Sequence, residues 1–185
     1  MGNKKENKKS DSRVNVKWVL TIVAWSVIFS GSISLVSDVL LDKVNLLVAF
    51  IILIFIILIG IIFDIIGVAV TASNETPFHA KAANKVPGAK LAVIFIRNAE
   101  KVSSFCNDVI GDVCGIVSGS IGIIIASKIL SSNPDLNSTV VTTSIGVTIG
   151  ALTIGGKALG KGFAIQNSND ILDKVTKLIY FFKRG

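Results

Sequence analysis

The chain has 185 residues, of which 51% are hydrophobic and only 17% charged, and its mean hydropathy is +0.70. Soluble domains carry about 25% charged residues, so this balance excludes an ordinary water-soluble domain and points to lipid. The formal net charge of +7 gathers in segments outside the apolar runs, which argues against nucleic acid as a partner and for an anionic membrane surface.

The first residues are basic and rich in Ser and Asn, with Lys4, Lys5, Lys8, Lys9, Arg13 and Lys17 close together. Residues 1–16 read as a disordered cytoplasmic tail. Residues 17–166 read as a transmembrane domain. A membrane helix needs about 20 mostly apolar residues, and four segments qualify: about 18–41, 46–72, 102–126 and 139–159. The first is diluted by Ser26, Ser30, Gly31, Ser32 and Ser34. Its Trp18 and Trp25 suit an aromatic belt. The second is the most apolar, with no polar side chain from Leu46 to Phe63.

Asp42 to Asn45 and Ser131 to Ser138 are short connections. The connection from Ser73 to Lys101 is long and is punctuated by Pro77, Pro87 and Gly88, so it is not one continuous helix. Within it, residues 89–101 read as an amphipathic helix in the interface plane, with Leu91, Ile94, Phe95 and Val102 on one side. At the C-terminus, residues 167–185 read as a cytoplasmic amphipathic helix on the inner leaflet, with Ile171, Leu172, Val175, Leu178, Ile179 and Phe182 at helical spacing. The expected fold is therefore all-α integral membrane: four transmembrane helices, a cytoplasmic amphipathic linker helix and an amphipathic C-terminal helix.

Orientation follows from charge. The tail, the long connection (Lys81, Lys85, Lys90, Arg97, Lys101) and the C-terminus are basic, while the two short loops carry little charge. Four crossings place all three basic regions on one side, which the positive-inside rule makes cytoplasmic. The expectation is a multi-pass plasma-membrane protein with both termini in the cytoplasm, its partner a bilayer with an anionic cytoplasmic leaflet.

Ionisable residues at membrane depth are costly and mark function by default. Asp64 interrupts the second helix, Asp108 and Asp112 lie in the third, and Lys157 lies near the end of the fourth, with Asn107 beside them. Counted from the cytoplasmic ends, they lie about 5 to 15 Å deep at 1.5 Å per residue, and could meet in one pocket. Three carboxylates there suit a hard cation such as Mg²⁺. The other reading is a structural cluster in which Lys157 pairs with Asp64 or Asp112. Gly111, Gly115 and Gly119, and Gly146 and Gly150, recur at every fourth position and allow close helix packing, either within the chain or at a homodimer seam. Cys106 and Cys114 are about 12 Å apart along a helix, too far for a disulfide. His79 is the single histidine, so no multi-histidine metal site exists. No Ser/His/Asp or Cys/His arrangement supports hydrolytic chemistry, and no enzyme is expected.

Several strings resemble one family. Pro87-Gly88-Ala89-Lys90-Leu91-Ala92 is similar to the Gly-Ala-Lys entry to its belt helix. Val109-Ile110-Gly111-Asp112 is similar to its Leu-Ile-Gly-Asn. Gly156-Lys157-Ala158-Leu159-Gly160-Lys161 lies where it has Gly-Glu-Ile-x-Pro-Lys. Residues of about 46–166 thus resemble the membrane domain of the CorB/CorC and cyclin-M magnesium transporters. The resemblance implies three shared transmembrane helices with a cytoplasmic amphipathic helix between the first and second. It also implies a site for dehydrated Mg²⁺ or another divalent cation, built from a serine, an asparagine and a glutamate. Those positions are Asp64, Asp112 and Lys157 here, so Asp64 and Asp112 are the implied metal ligands. Lys157 departs from the pattern: its ammonium repels a cation and could occupy the ion's place. The family's nucleotide-binding regulatory pair has no counterpart in these residues. Ion transport through the acidic pocket is the leading expectation. A non-transporting assembly or regulatory subunit, and an H⁺- or Na⁺-coupled carrier, remain open alternatives.

Overall fold

The computed structural model describes residues 16–41 and 45–184. The basic tail up to residue 15 and residues 42–44 of the first short connection lie outside them. The described residues are helical, without strands: α1 (Val16–Leu41), α2 (Leu46–Ala72), α3 (Glu75–Ala83), α4 (Ala89–Arg97), α5 (Ala99–Ser104), a π-helical segment (Phe105–Gly111), α6 (Asp112–Ser132), α7 (Ser138–Gln166) and α8 (Ser168–Arg184).

Among the described residues, three helices are long and apolar enough to cross a membrane: α2, the continuous rod Ala99–Ser132, and α7. The last two outrun the expected 102–126 and 139–159. An α-helix satisfies its own backbone and needs no apolar side chains to continue. The rod stops only at Asn133, before Pro134, and α7 starts where the Asn137 side chain accepts from the N–H groups of Thr139 (3.0 Å) and Val140 (3.3 Å), as an N-cap should. α1 covers the expected 18–41 as one helix, and its stretch Val19–Ser32 is apolar.

α2 is the hub. It packs against α6, α7, the π-helical segment, α5 and α8, while α1 lies against α6 and the π-helical segment. One apolar core joins Ala49, Leu53 and Ile57 of α2 to Val113, Val117, Ile121 and Ile125 of α6 and Ile149 of α7. Phe55 and Ile62 of α2 and Ile154 and Leu159 of α7 are exposed. That much contiguous apolar surface is unfavourable in water and suits lipid.

The long connection differs from expectation. The helix expected over 89–101 is broken at Asn98 (φ −112°, ψ 31°), and Ala99 begins the membrane rod instead. The Asn98 amide donates to the Ile94 carbonyl (2.9 Å), so a local side-chain bond ends α4. An unexpected helix, α3, occupies Glu75–Ala83, started by Asn74, whose side chain accepts from Thr76 N–H (3.1 Å). Its hydrophobic content is too low to read by periodicity alone.

α4 and α8 do not simply lie on a membrane surface. Val70 of α2, Phe78 of α3, Ala92 and Val93 of α4 and Leu172 of α8 form a second core at the end of the bundle where α2 and α7 finish. Polar contacts close it. Ser168 donates to the Ala72 carbonyl (3.3 Å), and Asn169 accepts from Asn74 N–H (3.0 Å). Asp173 of α8 is paired with Lys177 (2.6 Å) and with Lys81 of α3 (3.2 Å). Glu75 accepts from Arg97 (2.7 Å) and contacts His79 (2.9 Å).

Burial is the largest single influence on Asp173 and raises its pKa, but the ammonium groups of Lys177 and Lys81 together outweigh it and hold the carboxyl below 3.8. A depressed folded value means that the pairing stabilises the fold above the ordinary carboxyl range and loses that contribution as pH falls below it. Wild type and Asp173→Asn are expected to differ by no more than about 1 kcal/mol at neutral pH, and to converge between about pH 4 and the lower folded value. Thermal unfolding across that range checks this.

Candidate functional site

Glycines set the register of the bundle. A Cβ at Gly60 would meet the Cβ of Cys114 at 3.0 Å, and one at Gly67 would overlap the Asn107 amide. α2 therefore runs antiparallel to the rod, with residues 60 to 67 alongside 114 to 107. A Cβ at Gly156 would overlap Ile61, and one at Gly160 would meet Ile65 at 2.8 Å. α7 thus runs parallel to α2, with residues 156 to 160 alongside 61 to 65. Asp64 consequently lies level with Gly111 on one neighbour and with Lys157 to Gly160 on the other.

At that level the structure gathers polar atoms. Asp64 is buried, 3% exposed, and its Oδ2 has no hydrogen-bond partner. Asn107 donates to the Ser103 hydroxyl (3.3 Å), while its own Oδ1 is buried and unpartnered. Thr153, one turn before Lys157 on α7, also has a buried, unpartnered hydroxyl oxygen. Lys157 is half-buried and reaches across, its Nζ 3.3 Å from where a Cβ of Gly111 would stand. No ion pair joins Lys157 to a carboxylate among the described residues. At this level α2 and the rod thus each supply an orphaned oxygen, and α7 supplies a cation.

The π-helical segment positions part of this. Residues 105–111 add a residue to the turn, which alters the i→i−4 ladder, and such bulges occur often at functional sites. Asn107 and Asp108 lie in it.

The expected residues therefore separate. Asp64, Asn107 and Lys157 approach one another, but Asp108 and Asp112 are exposed on the outer side of the rod. The three carboxylates do not converge, and the described residues contain no group of three or more His, Cys, Asp or Glu able to hold a metal ion. The reason is rotational: residues 60, 64 and 67 form one stripe of α2 facing the rod, whereas 108 and 112 follow a stripe of the rod turned away from α2. Cys106 and Cys114 are free thiols, as their spacing implied.

The glycine expectation divides in the same way. Gly111 lies beneath Lys157, but a Cβ at Gly115, Gly119, Gly146 or Gly150 would meet nothing within 4 Å among the described residues. Those four do not make the close approaches within the chain; Gly60, Gly67, Gly156 and Gly160 do. Single alanine substitutions at Gly115 and Gly146 are expected to raise stability by up to about 1 kcal/mol, measured by thermal unfolding in detergent.

Sequence reasoning passed over a legible signal. Gly60, Asp64 and Gly67 stand at i, i+4 and i+7, as do Thr153, Lys157 and Gly160, with Gly156 beside them. Each set is one helix stripe, where glycine removes bulk around a polar group. The nearest large groove, of about 300 Å³, is lined by Ile56, Ile59, Phe105, Val109, Val113 and other apolar groups, and offers no cation ligands. Comparison with known protein families, with curated proteins and with solved structures gives no match to this chain.

Proposed function

We propose that this is a small divalent-cation transporter of the CorB/CorC and cyclin-M type, moving Mg²⁺ or a similar ion through the polar level around Asp64. The carrying observation is the buried Asp64, whose Oδ2 has no partner, beside the equally orphaned Asn107 oxygen. A buried, unpaired carboxylate costs several kcal/mol. Oxygens from two helices at that level are what a hard cation seeks, and such a cation would remove that cost. α1 serves as the fourth crossing in this reading. Both termini and the α3–α4–α8 end then face the cytoplasm of the plasma membrane, where their basic residues meet anionic lipid. Asp108 and Asp112, exposed on the rod, would draw cations toward the site or face a second copy in a homodimer.

One observation favours a second reading. Lys157 lies at the level of Asp64 and presents its ammonium toward Gly111, so the cluster could hold the helices together without carrying an ion, as in an assembly or regulatory subunit. The same buried carboxylate would also suit an H⁺- or Na⁺-coupled carrier.

Uptake of Mg²⁺, Mn²⁺ and Co²⁺ into proteoliposomes separates these. Transport predicts flux above empty liposomes for at least one ion, reduced by Asp64→Asn. The absence of flux for all three ions overturns it. Flux that appears only under an imposed proton or sodium gradient selects the coupled carrier.

A further inference from the structure

The turn between α3 and α4 carries an unusual residue. Lys85 has φ +56°, the left-handed region. The Lys85 N–H donates to the Ala82 carbonyl (3.1 Å) and the Val86 N–H to the Lys81 carbonyl (3.0 Å), the paired bonds of a Schellman cap. Glycine is the usual occupant of that cap position because a Cβ there is strained. A lysine kept where glycine fits better suggests a use for its side chain, in the direction from strain to function.

Its surroundings supply one. Lys85, Lys90, Gly88, Leu91 and Tyr180 line a groove of about 370 Å³ between this turn and α8. Neither Lys85 nor Lys90 makes an ion pair with a described residue, and the Tyr180 hydroxyl makes no hydrogen bond with a described residue. Two ammonium groups and a phenol around a concave surface match a phosphate, the lysines as point charges and the phenol as a donor. The groove is held in shape from behind, because Gly88 packs on the backbone of Thr176 and Lys177.

The neighbouring surface decides the source of that phosphate. Past the docked part of α8, Leu178, Phe181 and Phe182 stand at i, i+3 and i+4 on one stripe, with Phe181 77% and Phe182 76% exposed. Lys174 and Lys177 precede them on the same side. Such a basic-then-apolar stripe enters the headgroup and acyl boundary of a bilayer, and it lies at the end of the bundle where two membrane-spanning helices finish. We infer that the groove seats the phosphate headgroup of an anionic phospholipid, with the apolar end of α8 lying beside its chains. This assignment stands on the membrane-spanning character of α2 and α7 and is independent of ion transport.

The test uses the full chain, purified in neutral detergent, delipidated, and then offered phosphatidylglycerol or phosphatidylcholine, with retained lipid counted by native mass spectrometry. Phosphatidylglycerol is expected to be retained in preference. Each lysine contributes about fivefold near an anionic surface, so Lys85→Gly with Lys90→Gln should cut that preference by more than tenfold, and Lys90→Gln alone by about fivefold. Lys85→Gly alone relieves the strained cap and should raise Tm by about 2 to 4 °C while weakening lipid binding. A purely structural lysine would not split the two readouts in this way. Equal retention of the two lipids, or a double variant that keeps its preference, overturns the inference. Displacement of phosphatidylglycerol by millimolar inorganic phosphate also overturns it, by assigning the groove to a soluble anion.

Discussion

Gly88→Ala is expected to undock the C-terminal helix and to cause the largest stability loss of any single methyl addition in the molecule. Gly88 has φ +81°, and a Cβ there would lie 2.8 Å from the backbone of Thr176 and Lys177 and 2.9 Å from the Thr176 carbonyl oxygen. Two costs coincide. An L-residue in the left-handed region costs about 1 to 2 kcal/mol, and overpacking against a rigid neighbour costs about 1 to 3 kcal/mol. Backbone cannot rotate away as a side-chain tip can, so the strain is relieved only by moving α8. The Leu172 and Phe78 core and the Asp173 pairs with Lys81 and Lys177 should then loosen together. Thermal unfolding in detergent should show a loss of about 2 to 4 kcal/mol, and limited proteolysis should cut between α7 and α8 faster than in wild type. Unchanged protease resistance would show that α8 is held mainly by contacts other than this one.

Opposite changes at Asp64 and Lys157 are expected to move cation flux in opposite directions. Asp64→Asn removes the buried charge that attracts the ion, and flux should fall by at least about tenfold. Lys157→Met removes a positive charge from the same level of the bundle. Two unit charges about 4 Å apart interact by about 4 kcal/mol at an effective dielectric constant of 20, and a divalent ion feels twice that at a given distance. Water and side-chain motion reduce the effect, yet a gain of about tenfold in apparent cation affinity is expected. Flux measured against external Mg²⁺ or Co²⁺ concentration reads both variants. If the cluster is structural instead, each single change should lower Tm, and the double change Asp64→Asn with Lys157→Met should restore most of the loss, since neither charge is then left alone. The two readings thus differ in sign for Lys157→Met: improved ion affinity in one, lower stability without flux in the other.

The outlines of the membrane helices were legible because they depend on composition over long windows. A run such as Leu46 to Phe63 has one favourable environment, and no neighbour needs to be known to recognise it. The start of α7 was legible to within one residue, where the Asn137 side chain accepts from the Thr139 and Val140 N–H groups. The helix break at Asn98 and the helix started by Asn74 were not, because each turns on one local hydrogen bond that competes closely with alternatives.

The site shows the same division at finer scale. That Asp64, Asn107 and Lys157 are anomalous in an apolar chain follows from residue type alone, because the cost of burying charge does not depend on the fold. Which anomalies meet is a matter of rotation about each helix axis, about 100° per residue, and of register between helices. Three choices settled it: the glycine contacts at Gly60, Gly67, Gly156 and Gly160, the direction of α7 relative to α2, and the π-helical insertion at Phe105–Gly111. Those choices turned Asp108 and Asp112 outward and left Asp64 inside. By itself, the sequence determined an all-helical chain with apolar helices fit for a bilayer and costly charges within them. The tertiary structure alone decided that Asp64, Asn107 and Lys157 share one level and that α8 closes over the α3–α4 turn, because helix phase and register arise from side-chain contacts between segments far apart in the chain.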